Sequence, residues 1–212
     1  MSRPARGFAA LALAVGVFHH VPAYTGDTGT WIDLATPFVV AAAVVYGLRG
    51  APRAAVIVAA AALVLYVDGH GIHLAANAIG HEDAGAAEDT RDFWDEHWGH
   101  AEWHLGWLGL LAALSLADRP RGAENSEVRG GGVPLLVAAV IMGWTLFTST
   151  VEGQDWWLAL GAAPVFVAWT VVRRGSSVLV ASAVATLVCA GLIGIWAAWQ
   201  SGVPQFSELG WI

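Results

Sequence analysis

The sequence predicts an all-α, polytopic membrane protein, in which seven transmembrane helices form one integral membrane domain over residues 1–212. Of the 212 residues, 57% are hydrophobic and 13% are charged, whereas a soluble domain is usually about 45–50% apolar and about 25% charged. Seven apolar runs approach the roughly 20 residues that a helix needs to cross a hydrocarbon core about 30 Å thick. The arginines also lie in every second connection between these runs, which is the distribution expected of seven spans that collect arginine on the cytoplasmic side.

The seven runs follow one another with short connections. They extend over residues 7–24, 33–48, 54–79, 92–117, 132–151, 156–172 and 177–199. We expect the first run to be a retained helix, because His19-His20-Val21-Pro22 follows it where a signal peptide would have small residues at a cleavage site. The longest connections, residues 80–91 and 118–131, are too short to hold a soluble domain.

The arginines predict the orientation. Nine of the ten lie in alternate connections: before the first run, and between the second and third, the fourth and fifth, and the sixth and seventh. Because cytoplasmic connections collect arginine and lysine, we expect the N-terminus to be cytoplasmic and the C-terminus extracytoplasmic. Arg91 is the exception. The predicted location is the cell membrane, with the lipid bilayer as the partner.

Composition excludes several classes of function. The chain has no lysine, so it cannot form a retinal or pyridoxal Schiff base or a P-loop. Its single cysteine, Cys189, excludes an intramolecular disulfide and a cysteine-based metal cluster. The net charge of −7 offers no basic patch, so we expect no nucleic-acid partner.

All eight histidines lie in the predicted outer half of the membrane. A rise of about 1.5 Å per helical residue, counted from the inner arginine of each helix, gives the height of the histidines on three helices. Three groups then reach a common level about 20–28 Å from the inner side: His19, Asp68 with His70, and His100 with His104. Intramembrane ionisable residues usually face the protein interior, so this level predicts one partly buried site.

The fourth run contains Glu96-His97-x-x-His100-x-x-x-His104. On a regular α-helix these four residues share a face, and the i,i+4 pair His100/His104 can bind one metal ion. A single histidine here would be typical of a residue that contacts headgroups. Three on one face favour a site.

The third run contains Asp68-Gly-His70-Gly-x-His73-x-x-x-Asn77. His70, His73 and Asn77 share a face, whereas Asp68 points elsewhere unless the flanking glycines loosen the helix. Close helix packing explains such glycines equally well. A carboxylate in hydrocarbon costs about 2.5–3.5 kcal/mol, so we expect Asp68 to have a histidine or a metal as its partner.

Three other positions leave alternatives open. His19 and His20 point about 100° apart, so at most one is expected to face the interior. Glu152 could be a further ligand or base, but Gly153 and Gln154 after it are typical of a loop and favour an interfacial role. His81 and the acidic segment after it are expected to form a solvated loop that attracts cations.

Imidazole with some carboxylate and no thiolate suits zinc, iron or copper. We expect a zinc site with His100, His104 and one or two of His70, His73 and His19 as ligands, and Asp68 or Glu96 as general base or orienting partner. This predicts a membrane-embedded metal-dependent hydrolase that acts on a lipid or amphiphile. The alternative is a haem or metal redox protein, or a metal-ion or proton transporter that uses the same histidines. The oligomeric state stays open.

In residue kind, the Asp95-Glu96 pair and the His100/His104 pair in a seven-helix protein are similar to the alkaline ceramidases and the adiponectin-receptor-like proteins. That resemblance implies a membrane zinc amidase. In that family the paired histidines lie in the last helix, whereas here they lie in the fourth run and the seventh has no histidine. The pattern therefore assigns no family.

Overall fold

A computed structural model describes residues 1–25, 27–82, 88–119 and 132–211. Within these ranges all the regular secondary structure is helical. The α-helices are α1 (Arg3–His20), α2 (Asp27–Gly47), α3 (Arg53–Glu82), α4 (Glu88–Asp92), α5 (His100–Ala117), α6 (Gly132–Glu152), α7 (Trp156–Val172) and α8 (Ser177–Gln200). A 3-10 turn, Pro22–Tyr24, follows α1, and a π-helical segment, Phe93–Gly99, joins α4 to α5. The side chain of His81, most of the acidic segment after it, and Arg121 and Arg129 lie outside the described residues.

Four of the helices have the length and the apolar character that a membrane span requires. They are Thr28–Gly47, Arg53–Ile79, Gly132–Glu152 and Ser177–Gln200, and Trp156–Val172 is a shorter apolar helix. The prediction of an all-α protein is confirmed for the described residues, and these four helices are long and apolar enough to span a membrane. Helices also cover all seven apolar runs, although α2 begins six residues before the predicted start.

The fourth run departs from the prediction of one regular helix. The π-helical segment Phe93–Gly99 interrupts it, and the His100 backbone N–H bonds the carbonyl oxygen of Asp95, five residues earlier. A π turn holds one residue more than an α turn, so it changes which side chains face the protein interior.

Glycines bring α3 and α5 into backbone contact. A Cβ atom on Gly106 would lie 2.7 Å from the Ala62 oxygen, and one on Gly69 would overlap the backbones of Gly99 and Trp103. Small residues allow this close approach between membrane helices. The packing role therefore accounts for Gly69, and the contact sets the histidines of α3 beside those of α5.

Asp118 ties several elements together at the other end of α5. Its carboxylate is buried and accepts hydrogen bonds from the Ser2, Ser176 and Ser177 hydroxyls at 2.8–3.1 Å. It also accepts from the Val178 backbone N–H at 3.1 Å. The start of α1, the end of α5 and the start of α8 are thereby joined.

Candidate functional site

The five predicted histidine ligands gather around one tryptophan, Trp103, at the end of the bundle opposite to Asp118. Trp103 is 3% exposed. Its ring centroid lies 4.8–5.9 Å from those of His19, His70, His73, His100 and His104. The structure therefore brings these residues together from α1, α3 and α5. We call them, with Trp103, the Trp103 cluster.

Three histidines of the cluster bond a carboxylate from another element. The pairs are His70 Nε2 with Asp33 at 3.0 Å, His73 Nδ1 with Asp95 at 2.8 Å, and His104 Nδ1 with Asp155 at 2.6 Å. Such pairing fixes the tautomer and orientation of an imidazole, whether the ring then binds a metal or exchanges protons. The sequence did not identify these aspartates as partners of the histidines. The available signal was that most carboxylates of the chain lie, like the histidines, in the predicted outer half.

Three side chains have the arrangement of a metal site. Ligand atoms of His73, Asp95 and His100 all lie within 4.8 Å of one another. Asp95 Oδ1 is 2.8 Å from His73 Nδ1 and 3.6 Å from His100 Nδ1. Ligands about 2.0–2.1 Å from a tetrahedral zinc are roughly 3.3 Å apart, so these distances bracket the required value. His100 Nδ1 also contacts the Asp95 backbone oxygen at 3.0 Å, so metal binding there would displace a proton.

The π-helical segment creates this group. It turns Asp95 inward, where it is 7% exposed, and leaves His97 exposed beside Phe93 at a ring distance of 6.3 Å. The expectation that His97 shares the site face is therefore wrong, because it assumed a regular α-helix. π-helical turns occur frequently at functional sites.

Glu96 and Asn77 border the metal-type group. Glu96 Oε2 lies 3.5 Å from His100 Nδ1, and its side chain is 32% exposed. The Gln205 amide donates to the same oxygen at 3.3 Å. Asn77 Nδ2 lies 3.0 Å from His73 Nε2, on the side of the ring away from Asp95, and helps to hold that ring.

His104 has partners for both ring nitrogens. Nδ1 bonds Asp155 and Nε2 bonds the Ser149 hydroxyl, and all three residues are at most 3% exposed. His104 is thereby held between a carboxylate and a hydroxyl. The structure groups His100 with His73 and Asp95 rather than with His104.

The two adjacent histidines of α1 face different neighbours. His19 packs on Trp103 at a ring distance of 5.9 Å. His20 Nδ1 donates to the Gly16 carbonyl at 2.9 Å, and its Nε2 lies 3.3 Å from the Thr148 hydroxyl of α6. His19 is therefore the member of the pair that joins the cluster.

Two predicted residues lie elsewhere. Asp68 is exposed and lines a lateral apolar groove with residues that include Val64, Val67 and Ile72. Glu152 accepts from the Phe206 and Ser207 backbone N–H groups at 2.8 and 3.3 Å. It therefore fastens the segment that follows α8, which composition alone did not indicate.

No protein-family model, curated protein or solved structure matches the chain. The functional argument accordingly rests on the Trp103 cluster itself. Its chemistry comprises a His2Asp group suited to a divalent transition metal, a neighbouring carboxylate, and a histidine held between a hydroxyl and a carboxylate.

Proposed function

We propose that the protein is a seven-helix integral membrane protein of the cell membrane that binds zinc at His73, Asp95 and His100 and hydrolyses a lipid or amphiphile. The observation that supports this best is the clustering of the three ligand atoms within 4.8 Å at a largely buried position. Burial of two imidazoles and a carboxylate is costly unless they are paired or bind a metal.

The seven-span topology is supported by the helices that cover all seven apolar runs and by the alternating arginines. With the N-terminus in the cytoplasm, the Trp103 cluster lies on the extracytoplasmic side. It then sits at the level of the outer leaflet, where an amphiphile can enter sideways from the bilayer.

The donor set favours zinc hydrolysis. Two histidines and one carboxylate bind zinc in several hydrolases and leave a fourth position open, although the same set also suits iron. A bound zinc ion would lower the pKa of its water to about 7 and polarise the scissile carbonyl. Glu96, 3.5 Å from His100 and partly exposed, is placed to accept a proton from a water beside the ion.

A second candidate is a metal-ion or proton pathway. The observation that favours it is the set of three histidine–aspartate pairs, one buried and two partly buried, which resembles a proton relay in kind. A haem fits less well, because Trp103 packs directly against all five histidines and a porphyrin would have to displace it.

Metal analysis of the purified protein tests the proposal. We expect about one zinc ion per chain. His73→Ala and His100→Ala should each remove it, because these residues supply ligands. The control is His97→Ala, which changes an exposed histidine outside the group and should retain the zinc. Equal zinc content in all three variants would reject the site. In a Ser149→Ala variant, hydrolysis of alkyl esters that is unchanged by zinc removal would reject the metal-dependent hydrolase but not the site, and ion flux into proteoliposomes would then support the second candidate.

A further inference from the structure

Ser149, His104 and Asp155 form a hydrogen-bonded chain that the metal site does not use. Asp155 Oδ2 lies 2.6 Å from His104 Nδ1, and His104 Nε2 bonds the Ser149 hydroxyl. Asp155 is the N-cap residue of α7, His104 lies on α5 and Ser149 lies on α6. This is the order of acid, imidazole and hydroxyl that activates a serine nucleophile, and the order is recognised by geometry rather than by sequence position.

Ser149 and Asp155 hydrogen-bond to His104 rather than to nearby backbone groups. Thr145 and Thr150 on α6 donate to carbonyls four residues earlier, at 2.9 and 2.7 Å, whereas Ser149 between them reaches His104. Asp155 occupies the N-cap position of α7, yet its side chain makes no capping hydrogen bond. Both residues therefore serve the histidine in preference to their own helices.

Unused donors lie in the same cluster. Within the described part of the chain, Trp103 Nε1 and Tyr66 Oη are buried and have no hydrogen-bond partner. The Trp103 ring stacks on His104 at 5.4 Å with an interplanar angle of 11°, and Tyr66 packs on Trp103 at 6.1 Å. The cluster that contains His104 thus holds two buried donors without partners, and donors that reach a developing oxyanion stabilise its charge during acyl transfer.

We propose that Ser149 is a nucleophile for acyl transfer from apolar carboxylic esters, with His104 as its general base and Asp155 as the residue that orients His104. This site goes beyond the proposed metal centre and does not depend on it. The Ser149 oxygen bonds the ester carbonyl carbon while its proton moves to His104 Nε2. His104 then gives that proton to the departing alcohol, and water releases the acid and regenerates the serine.

The segment after α8 covers this end of the bundle. Glu152, one turn beyond Ser149, holds the backbone of Phe206, whose ring packs on Phe147 at 5.6 Å. Gln154 also donates to the Val203 carbonyl at 3.1 Å. Glu152→Ala removes the hydrogen bonds that hold this segment in place. It should therefore increase access to Ser149 without altering the hydrogen bonds among Ser149, His104 and Asp155.

Covalent labelling of the purified protein in detergent tests the proposal. The probe is an alkyl fluorophosphonate, which loses fluoride when a serine oxygen bonds its phosphorus, and the labelled residue is located by peptide mass spectrometry. We expect one adduct, on Ser149, formed at the same rate with and without a zinc chelator and faster in Glu152→Ala. His104→Ala should slow labelling about 10²–10⁴-fold, because it removes the base.

The matched control is Ser182→Ala. Ser182 is equally buried and bonds another serine, Ser115, at 3.2 Å, so its removal should leave labelling unchanged. Asp155→Asn keeps the shape of the site and should also slow labelling, which provides a second test if His104→Ala fails to fold. The proposal is overturned if neither wild type nor Glu152→Ala labels at Ser149, if labelling requires zinc, or if Asp155→Asn and His104→Ala label as fast as wild type.

Discussion

Gly153→Ala should weaken zinc binding through a single steric contact with His100. A Cβ atom at position 153 would lie 2.7, 2.8 and 2.9 Å from the Cγ, Cδ2 and Cβ atoms of His100. The ring must therefore move by about 0.7 Å before the closest contact becomes an ordinary one. Gly153 does not have a positive φ, so alanine adds no backbone strain there.

The size of the effect follows from the cost of overpacking. Inserting one methyl group into a packed site costs about 1–3 kcal/mol. In the metal-free protein His100 can move away from the added methyl group, whereas it must return to the crowded position to bind zinc. Zinc affinity should then fall by about 5–150-fold, since about 1.4 kcal/mol corresponds to a factor of ten. Labelling of Ser149 should persist, because the three atoms nearest to the added Cβ all belong to His100 rather than to His104 or its partners.

Competition with a fluorescent zinc chelator measures the affinity. The matched control is Gly161→Ala in α7, where an added Cβ atom meets nothing within 4 Å. An affinity of Gly153→Ala within twofold of wild type, with a folded and monodisperse protein, would show that His100 is not a zinc ligand held as we describe.

Three further outcomes are expected. Asp118→Ala should lower the stability of the folded bundle by at least about 3 kcal/mol in thermal unfolding in detergent, because four donors lose a buried charged acceptor; an unchanged midpoint would contradict the joining role of Asp118. Asp68→Asn should change zinc affinity less than twofold, since Asp68 lies in the lateral groove; a 10–100-fold loss would place it beside a ligand. Reporters fused after Arg174 and at the C-terminus should read as cytoplasmic and extracytoplasmic, and the same side for both would exclude the seven-span topology.

Hydropathy was sufficient to predict the helices, because each apolar run must satisfy its backbone groups internally if it is to cross a membrane. The one-sided distribution of histidines was sufficient to predict their clustering, since ionisable groups at one depth turn away from lipid. His19, His70, His73, His100 and His104 accordingly meet around Trp103. Periodicity failed at the π-helical segment, where an extra residue per turn exchanges Asp95 for His97 on the inner face.

The pairing of individual histidines could not be read from the sequence, because it depends on contacts between helices. A fully buried imidazole such as His104 needs a partner for each nitrogen, but Asp155 lies 51 residues away and competes with every other carboxylate at that level. The contact of α3 with α5 through Gly69 decides that His73 meets Asp95 and His100. The same packing thus places His73 and His100 beside Asp95, in an arrangement compatible with a metal, and places His104 between Ser149 and Asp155.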